Sequence, residues 1–547
     1  MQCLNFLLKL EMFYLVFLVI LLNNLNVHCY KIAVFSPDLS SSQHIWNKRV
    51  SEKLSEAGHN VTLISLQFNN KEIKKASVNK AIKTYKVVGA LEMDYKKLEE
   101  EFGHFVFEEM SFLSNTSRIL GNFTSSNLVS SCEKFITNKE FLNFIINEKF
   151  DIAFSHMYDY CTIGIIHYTK IPTWIWLSSG PLVDHMAFDL GVPTPSSYVP
   201  PIMADMSDKM NFYHRFKSFI GYSLYPLIYH KLLITDKETA LFRKHLSPDF
   251  PDLREISKKC PLAMVNSHEF YDIPKPTLHK VINIGGLGMT KKDTKPLEGI
   301  FKKVVEDIKT KGIILLTFGS VANSTLMPYS WKISFMKAFE KFPEYKFFIR
   351  YGGSDLNNIL PKNVYLSSWL PQSDLLQNSK TKLIITHCGY NSLQESIIAG
   401  IPMICIPLFG DQPRNARLAE KHGFGIYIEK GNVNVDFIVK SINEIIQDDS
   451  YLKSIQRMQQ MTLKKPIPSD VLLVKWTEFL AEFKTLDNMI PYGINLNFIE
   501  YYQIDVVLVL LILFFLTIFV IVFSLKKILC KIIQLLLKSK NHKAKKE

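Results

Sequence analysis

Apolar residues recur along the chain in short unbroken runs separated by amphipathic stretches. KIAVFSP (Lys31 to Pro37) is followed by NKRVSEKLSEAG (Asn47 to Gly58) and then by NVTLISL. Unbroken runs of this length suit strands buried on both faces, and a glycine closing the amphipathic stretch suits a helix end. Strand, helix and strand in that order predict a βαβ unit, and so an α/β domain. FDIAFSH (Phe150 to His156) and IPTWIWLS (Ile171 to Ser178) resume the strand rhythm around a helix expected from Thr162 to Tyr168. PLAMVNS (Pro261 to Ser267) reads as the last strand of this domain. Residues 71–149 read as charged and helix-rich, and VPTPSSYVPPIMADMSDKM (Val192 to Met210) as a proline-rich loop able to line an opening.

The rhythm restarts after VINIGGLG (Val281 to Gly288). GIILLTFGS, YKFFIRY, NVYLSSWLP, KLIITH and PMICIPLF read as strands, with FMKAFEKF as a helix among them. The fold class expected is therefore α/β, with two facing Rossmann-like domains over 30–280 and 281–483. A membrane-proximal segment follows over 484–505.

Two apolar runs do not belong to this rhythm. MFYLVFLVILL (Met12 to Leu22), with Lys9 before it and Cys29 after, predicts a signal peptide over 1–29. VVLVLLILFFLTIFVIVFS (Val506 to Ser524) carries no charge. At about 1.5 Å per residue it reaches roughly 28 Å, enough for one transmembrane crossing. Eight lysines between Lys526 and Lys546, against Glu547, account for +7 of the formal charge of +13. That bias puts the tail, 525–547, on the cytoplasmic side and the body in the lumen. The charge left on the body is modest, which removes most support for nucleic-acid binding. The closing KAKKE resembles the dilysine retrieval signal, so the expected location is the endoplasmic reticulum membrane, single-pass type I. ILCKIIQLLL in the tail could lie on the bilayer surface.

Cys132, Cys161, Cys260, Cys388 and Cys405 have neither CxxC nor metal-ligand spacing. One or two disulfides fit, with at least one thiol left over. Glycosylation sequons begin at Asn60, Asn115, Asn122 and Asn323, of which Asn115 and Asn122 lie in the more polar surroundings.

Chemistry concentrates at IITHCGYNSLQES (Ile384 to Ser396), where a buried strand runs into small and polar residues. Ligands of open parallel sheets bind beyond the carboxyl ends of strands. A helix opening there, capped by Asn391 or Ser392, with capping-box spacing from Ser392 to Glu395, would offer amides to phosphate oxygens. An ordinary capped helix beside a core histidine fits the same residues.

WLPQSDLL (Trp369 to Leu376), THCGYNSLQES (Thr386 to Ser396) and GIPMICIPLFGDQPRNA (Gly400 to Ala416) stand in order within 48 residues. This resembles the signature of the UDP-dependent glycosyltransferases, the UDP-glucuronosyl and UDP-glucosyl transferase family, in their animal endoplasmic-reticulum form, with HCGYNSLQES and FGDQPRNA most like nematode members. The resemblance implies the GT-B architecture. It implies that Trp369 stacks on uracil, Gln372 contacts the nucleoside, and His387, Gly389, Asn391 and Ser392 hold the diphosphate, approached also by Gly319 and Ser320. Glu395 would take the ribose hydroxyls, and Asp411 with Gln412 those of the sugar. One departure is Cys388, where most of the family has glycine; a cysteine there implies an ordinary backbone conformation.

The same resemblance assigns the general base to His44, in SSSQHIW after the first strand. The family's orienting carboxylate falls by register on His156, which cannot supply a negative charge, so Asp159 in HMYDYC is expected to serve instead. The implied reaction is inverting transfer of a glucuronosyl or glucosyl group from a UDP-sugar, used as co-substrate with no metal, to a hydroxyl of a small lipophilic acceptor. Two other readings fit the chain: a catalytically impaired membrane protein binding nucleotide sugar or lipophile, and a membrane protein with a lumenal carbohydrate-binding module. The expected partners are the UDP-sugar, the acceptor and the membrane, with a homo-oligomer compatible.

Overall fold

A computed structural model describes residues 29–68, 78–90, 99–100, 103–108, 115–289 and 294–543. The signal-peptide run and the lysines of the terminal KAKKE lie outside the described residues, apart from Lys543. The described chain forms two compact units, Met1–Ile490 and Pro491–Glu547.

The first unit contains two parallel sheets. One joins β1 (Lys31–Pro37), β2 (Asn60–Gln67), β3 (Lys83–Val88), β4 (Ile152–His156), β5 (Trp174–Ser178), β6 (Leu262–Val265) and β7 (Val281–Asn283) in the order β3-β2-β1-β4-β5-β6-β7. The other joins β8 (Gly312–Thr317), β9 (Tyr345–Arg350), β10 (Val364–Ser367), β11 (Thr381–Thr386), β12 (Met403–Cys405) and β13 (Gly425–Tyr427) in the order β10-β9-β8-β11-β12-β13. The unbroken apolar runs have their physical reason here. Six of the seven residues of β1, all of β4 and all of β8 are buried, because helices cover both faces.

In each sheet the strand order reverses beside the first strand, between β1 and β4 and between β8 and β11. The crevice at such a switch point is where open parallel sheets bind ligands. The chain leaving β1 enters α1 (Ser41–Glu56), six residues earlier than the sequence pattern indicates. The pattern is weak there because SSSQH is polar, and the Ser40 side chain caps the helix by accepting from the amide of Gln43. The chain leaving β11 enters α2 (Tyr390–Ala399), and that leaving β12 reaches α3 (Gln412–Lys421).

Two segments cross the boundary expected at residue 281. β7 adds to the edge of the first sheet, pairing with β6. α4 (Ser469–Phe483) packs on the first domain as well, with Leu473 and Leu480 fully buried in a cluster with Ile32, Val34, Trp46 and Val50. A disulfide joins Cys132 to Cys161.

In the second unit, α5 (Ile504–Lys543) contains a 36-residue stretch, Ile504–Ser539, long and apolar enough to cross a membrane. The helix does not stop at Ser524. ILCKIIQLLL, expected as a separate surface segment, continues it, because that run contains neither proline nor glycine.

Candidate active site

A cavity of about 730 Å³ lies where the carboxyl ends of the two sheets face each other. All eleven residues expected to hold the nucleotide sugar line it: Gly319, Ser320, Trp369, Gln372, His387, Gly389, Asn391, Ser392, Glu395, Asp411 and Gln412. Ser40 to Gln43, Arg49, Tyr158 and Ser179 form the opposite wall, and Ile202 and Met203 of the proline-rich loop contribute to its rim.

The imidazole of His387 is held between two glycines. A Cβ on Gly319 would come within 2.5 Å of the ring, and one on Gly389 within 2.6 Å of Nε2. Gly319 also has a φ of 75°. Close approach and, at Gly319, backbone conformation thus both demand glycine. Burial, with Arg350 nearby, pushes the His387 pKa down to about 4, against a hydrogen bond to the backbone of Thr317 that raises it. The ring is therefore neutral at physiological pH and acts as a polar hydrogen-bonding group rather than a cation.

α2 starts one residue before the expected caps. Gly389 is its N-cap and makes no side-chain capping bond, so Asn391 and Ser392 lie inside the first turn. The amides of that turn are left to a ligand, and the helix dipole favours an anion. The Asn391 and Ser392 side chains are used elsewhere. Asn391 Oδ1 accepts from Asn266 Nδ2 of the first domain at 3.1 Å, and Ser392 Oγ accepts from Gln372 Nε2 at 3.2 Å.

Glu395 is fixed on two sides. Gln372 Nε2 donates to Oε2 at 2.8 Å, and Arg49 of α1 places a guanidinium nitrogen 3.6 Å from Oε1. Burial raises the Glu395 pKa, while Arg49 and Gln372 oppose the rise. Asp411 accepts from Asn415 Nδ2 at 2.8 Å, and its pKa too is raised by burial. Gln412 Oε1 accepts from the amides of Leu408 at 2.8 Å and Phe409 at 3.1 Å. Only its NH₂ group remains to meet a sugar hydroxyl.

Trp369 is 39% exposed at the cavity wall, and its indole is the kind of flat surface on which a planar base stacks. The guanidinium of Arg350 lies 4.9 Å from its ring centroid, and Arg350 also donates to the carbonyl of Gly319 at 2.6 Å. Sequence reasoning missed Arg350, although a charge ending the buried run YKFFIR is a visible signal for a residue beyond a strand's carboxyl end.

Cys388 departs from expectation. Its φ is 59°, the left-handed region, rather than an ordinary conformation. A side chain in that region costs on the order of 1–3 kcal/mol and persists where the surroundings over-determine it. Here Asn415 Nδ2 donates to the Cys388 carbonyl at 3.1 Å, and the wholly buried thiol is packed against β12.

The two residues expected to carry the base are arranged differently. His44 sits in α1 with 3% exposure and is not among the residues lining the cavity, although its neighbours Gln43 and Ile45 are. Among the described residues neither ring nitrogen has a hydrogen-bond partner. The carboxylate beside it is not Asp159 but Asp38, whose Oδ1 lies 3.7 Å from His44 Nδ1 and whose Oδ2 accepts from Ser65 Oγ at 2.6 Å. Asp38 follows β1 directly in SPDLS, and that position beyond a buried strand's carboxyl end was the available signal.

Asp159 belongs to another cluster. It is fully buried, accepts from the amide of Cys161 at 3.1 Å, and lies 3.7 Å from Nε2 of His156. Burial raises its pKa to about 7, against hydrogen bonds from the Cys161 and Thr162 backbone. His156 ends β4, is paired with Thr162 Oγ1 at 3.0 Å, and is driven down to a pKa of about 3 by burial alone. The cavity wall is made instead by Tyr158, whose hydroxyl bonds Gln43 Nε2 at 2.5 Å and Ser179 Oγ at 2.7 Å.

A family profile described as UDP-glucoronosyl and UDP-glucosyl transferase matches residues 31–541. The Caenorhabditis elegans protein ugt-48 is 31% identical over 485 residues, 88% of this chain and 91% of that protein. Human UDP-glucuronosyltransferase 3A2 is 27% identical over 86% of this chain and 88% of its own. These two identities lie too close together to assign a nematode subtype. Among solved structures, the calicheamicin glycosyltransferase CalG4 superposes with a TM-score of 0.53 at 13% identity, over 83% of this chain and 98% of that one, a likeness of fold alone. With two Rossmann-like domains facing across one cavity and the family profile spanning nearly the whole chain, this protein belongs to the UDP-glucuronosyl and UDP-glucosyl transferase family.

Proposed function

We propose that the chain transfers a hexosyl group, glucuronosyl or glucosyl, from a UDP-sugar to a hydroxyl of a small lipophilic acceptor, with inversion at the anomeric carbon. The observation carrying this reading is that eleven donor residues, scattered over 94 positions, line one cavity whose other wall is the first domain. Trp369 stacks on the base and Gln372 with Glu395 takes the nucleoside. The first-turn amides of α2 and the neutral His387 meet the diphosphate, stabilising the charge that builds on it as the leaving group departs. Asp411 and the Gln412 NH₂ group orient the sugar.

His44 serves as the base, with Asp38 rather than Asp159 fixing its ring and stabilising the imidazolium formed in the attack. Access requires the wall to which Gln43 and Ile45 contribute to open when the acceptor binds. A single displacement follows: the acceptor oxygen bonds the anomeric carbon as the bond to UDP breaks, and the hydroxyl proton passes to His44.

Burial of His44 specifically favours a second reading, a nucleotide-sugar binder that does not turn over. Membranes containing the protein, supplied with UDP-glucose or UDP-glucuronate and a pool of phenols and steroids, separate the two. Release of UDP, abolished in His44→Ala and strongly reduced in Asp38→Asn, supports the transferase. Binding of UDP without release, unchanged in both variants, supports the binder. Localisation to the endoplasmic reticulum with the body lumenal belongs to the same proposal, and is read by protease protection of the first unit in sealed microsomes.

A further inference from the structure

Beyond the disulfide between Cys132 and Cys161, two thiols meet beside the loop that leads into α2. Cys388 and Cys405 are both fully buried free thiols. Their sulfurs are 2.7 Å apart, closer than two unbonded sulfurs rest, and Cys388 Sγ also lies 3.7 Å from Met403 Sδ. The two residues belong to adjacent parallel strands. Cys405 lies opposite Thr386 in the β11–β12 register, and the chain turns at Cys388, two residues on, with its φ of 59°. That turn directs the side chain back over the end of β12.

We propose that Cys388 and Cys405 form a second disulfide in the mature protein, pinning the loop that leads into α2 to the neighbouring strand. The existing Cys132–Cys161 bond indicates an oxidising compartment for this chain. The bond forms by thiol–disulfide exchange with a small-molecule or protein disulfide: two cysteine thiols and one external disulfide give the internal disulfide and two external thiols. Exchange requires contact with a thiolate, and both sulfurs are enclosed once the domain is folded. The bond is therefore made during folding and shielded afterwards.

Its consequence follows from position. Gly389, Asn391 and Ser392 come immediately after Cys388, and Cys405 precedes Asp411 in the segment that carries the sugar-facing residues. A cross-link there fixes both segments relative to each other and holds Cys388 in the left-handed conformation that a side chain otherwise resists. The effect on donor binding rests on the function proposed above, whereas the bond itself does not.

The test is a peptide map of the full-length protein from a secretory-pathway host, denatured in N-ethylmaleimide without reductant. The expected result is a linked pair containing Cys388 and Cys405, two hydrogens lighter than the separate peptides, beside the Cys132–Cys161 pair. N-ethylmaleimide on both Cys388 and Cys405, with Cys132–Cys161 still linked, overturns the proposal. Calorimetry then reads the consequence: Cys405→Ser is expected to weaken UDP binding at least five-fold. Affinity within two-fold of the parent overturns the role in holding the loop, and absence of UDP binding by the parent itself overturns the donor-site reading while the peptide map still decides the bond.

Discussion

His387 shows how much of the site depends on what is missing from its neighbours. The ring touches the space where two side chains would stand, so Gly319→Ala and Gly389→Ala each force it out of place. Each is expected to reduce UDP affinity by ten-fold or more, and to destabilise the fold by about 1–3 kcal/mol, the usual range for overpacking. Titration calorimetry and thermal melts check the two effects. His156 offers a pH test. Its folded pKa of about 3 lies below the ordinary histidine value, so the unfolded chain binds the proton first as the medium acidifies. Its contribution to stability is complete above pH 6.5 and is lost as the pH falls towards 3. Between pH 7 and pH 5 this is on the order of 2 kcal/mol. Asp159, with a pKa raised to about 7, acts in the opposite sense over the same range, but it remains in place when His156 is replaced. Denaturant titrations at the two pH values should show His156→Gln less weakened by acid than the parent.

At the scale of elements, α4 is the least predictable part of the chain. It follows the second domain in sequence yet buries Leu473 and Leu480 against β1 and α1 of the first. Leu480→Ala is expected to cost about 2–5 kcal/mol, as a large-to-small change at a fully buried site. The first domain expressed alone, without α4, should be insoluble or molten, since the cluster around Ile32 and Val34 would face water. Near-ultraviolet circular dichroism of a chain ending at residue 289 would test this, and a cooperative, native-like fold would refute it. α1 and α2 are coupled in a comparable way through Arg49 and Glu395. Removing the cation in Arg49→Met should shift Glu395 further towards its neutral form and raise the KM for the UDP-sugar several-fold with little change in thermal stability.

For the whole molecule, the division after Ile490 sets the two-sheet unit apart from the apolar helix. A chain ending at Ile490 keeps both sheets, the cavity and α4, so it should be extracted from membranes by alkaline carbonate and still bind UDP with unchanged affinity. The parent should resist that extraction. Retention of the shortened chain on the membrane would show that a further surface of the first unit holds the bilayer.

What the sequence by itself determined are features set by neighbours along the chain. Buried strands appear as unbroken apolar runs, the long apolar helix as a charge-free run of lipid-spanning length, and the cavity-lining residues as a motif whose members sit at the ends of successive strands. The eleven cavity-lining positions were legible for that reason. Only the tertiary structure decided which groups meet across long separations: Asp38 rather than Asp159 beside His44, Cys388 against Cys405, Arg350 over Trp369, and α4 on the first domain. It also decided that His44 lies beneath the cavity wall, since exposure depends on what packs around a residue and not on its neighbours in sequence. Burial and through-space pairing are properties of the packed chain, and periodicity carries no record of them.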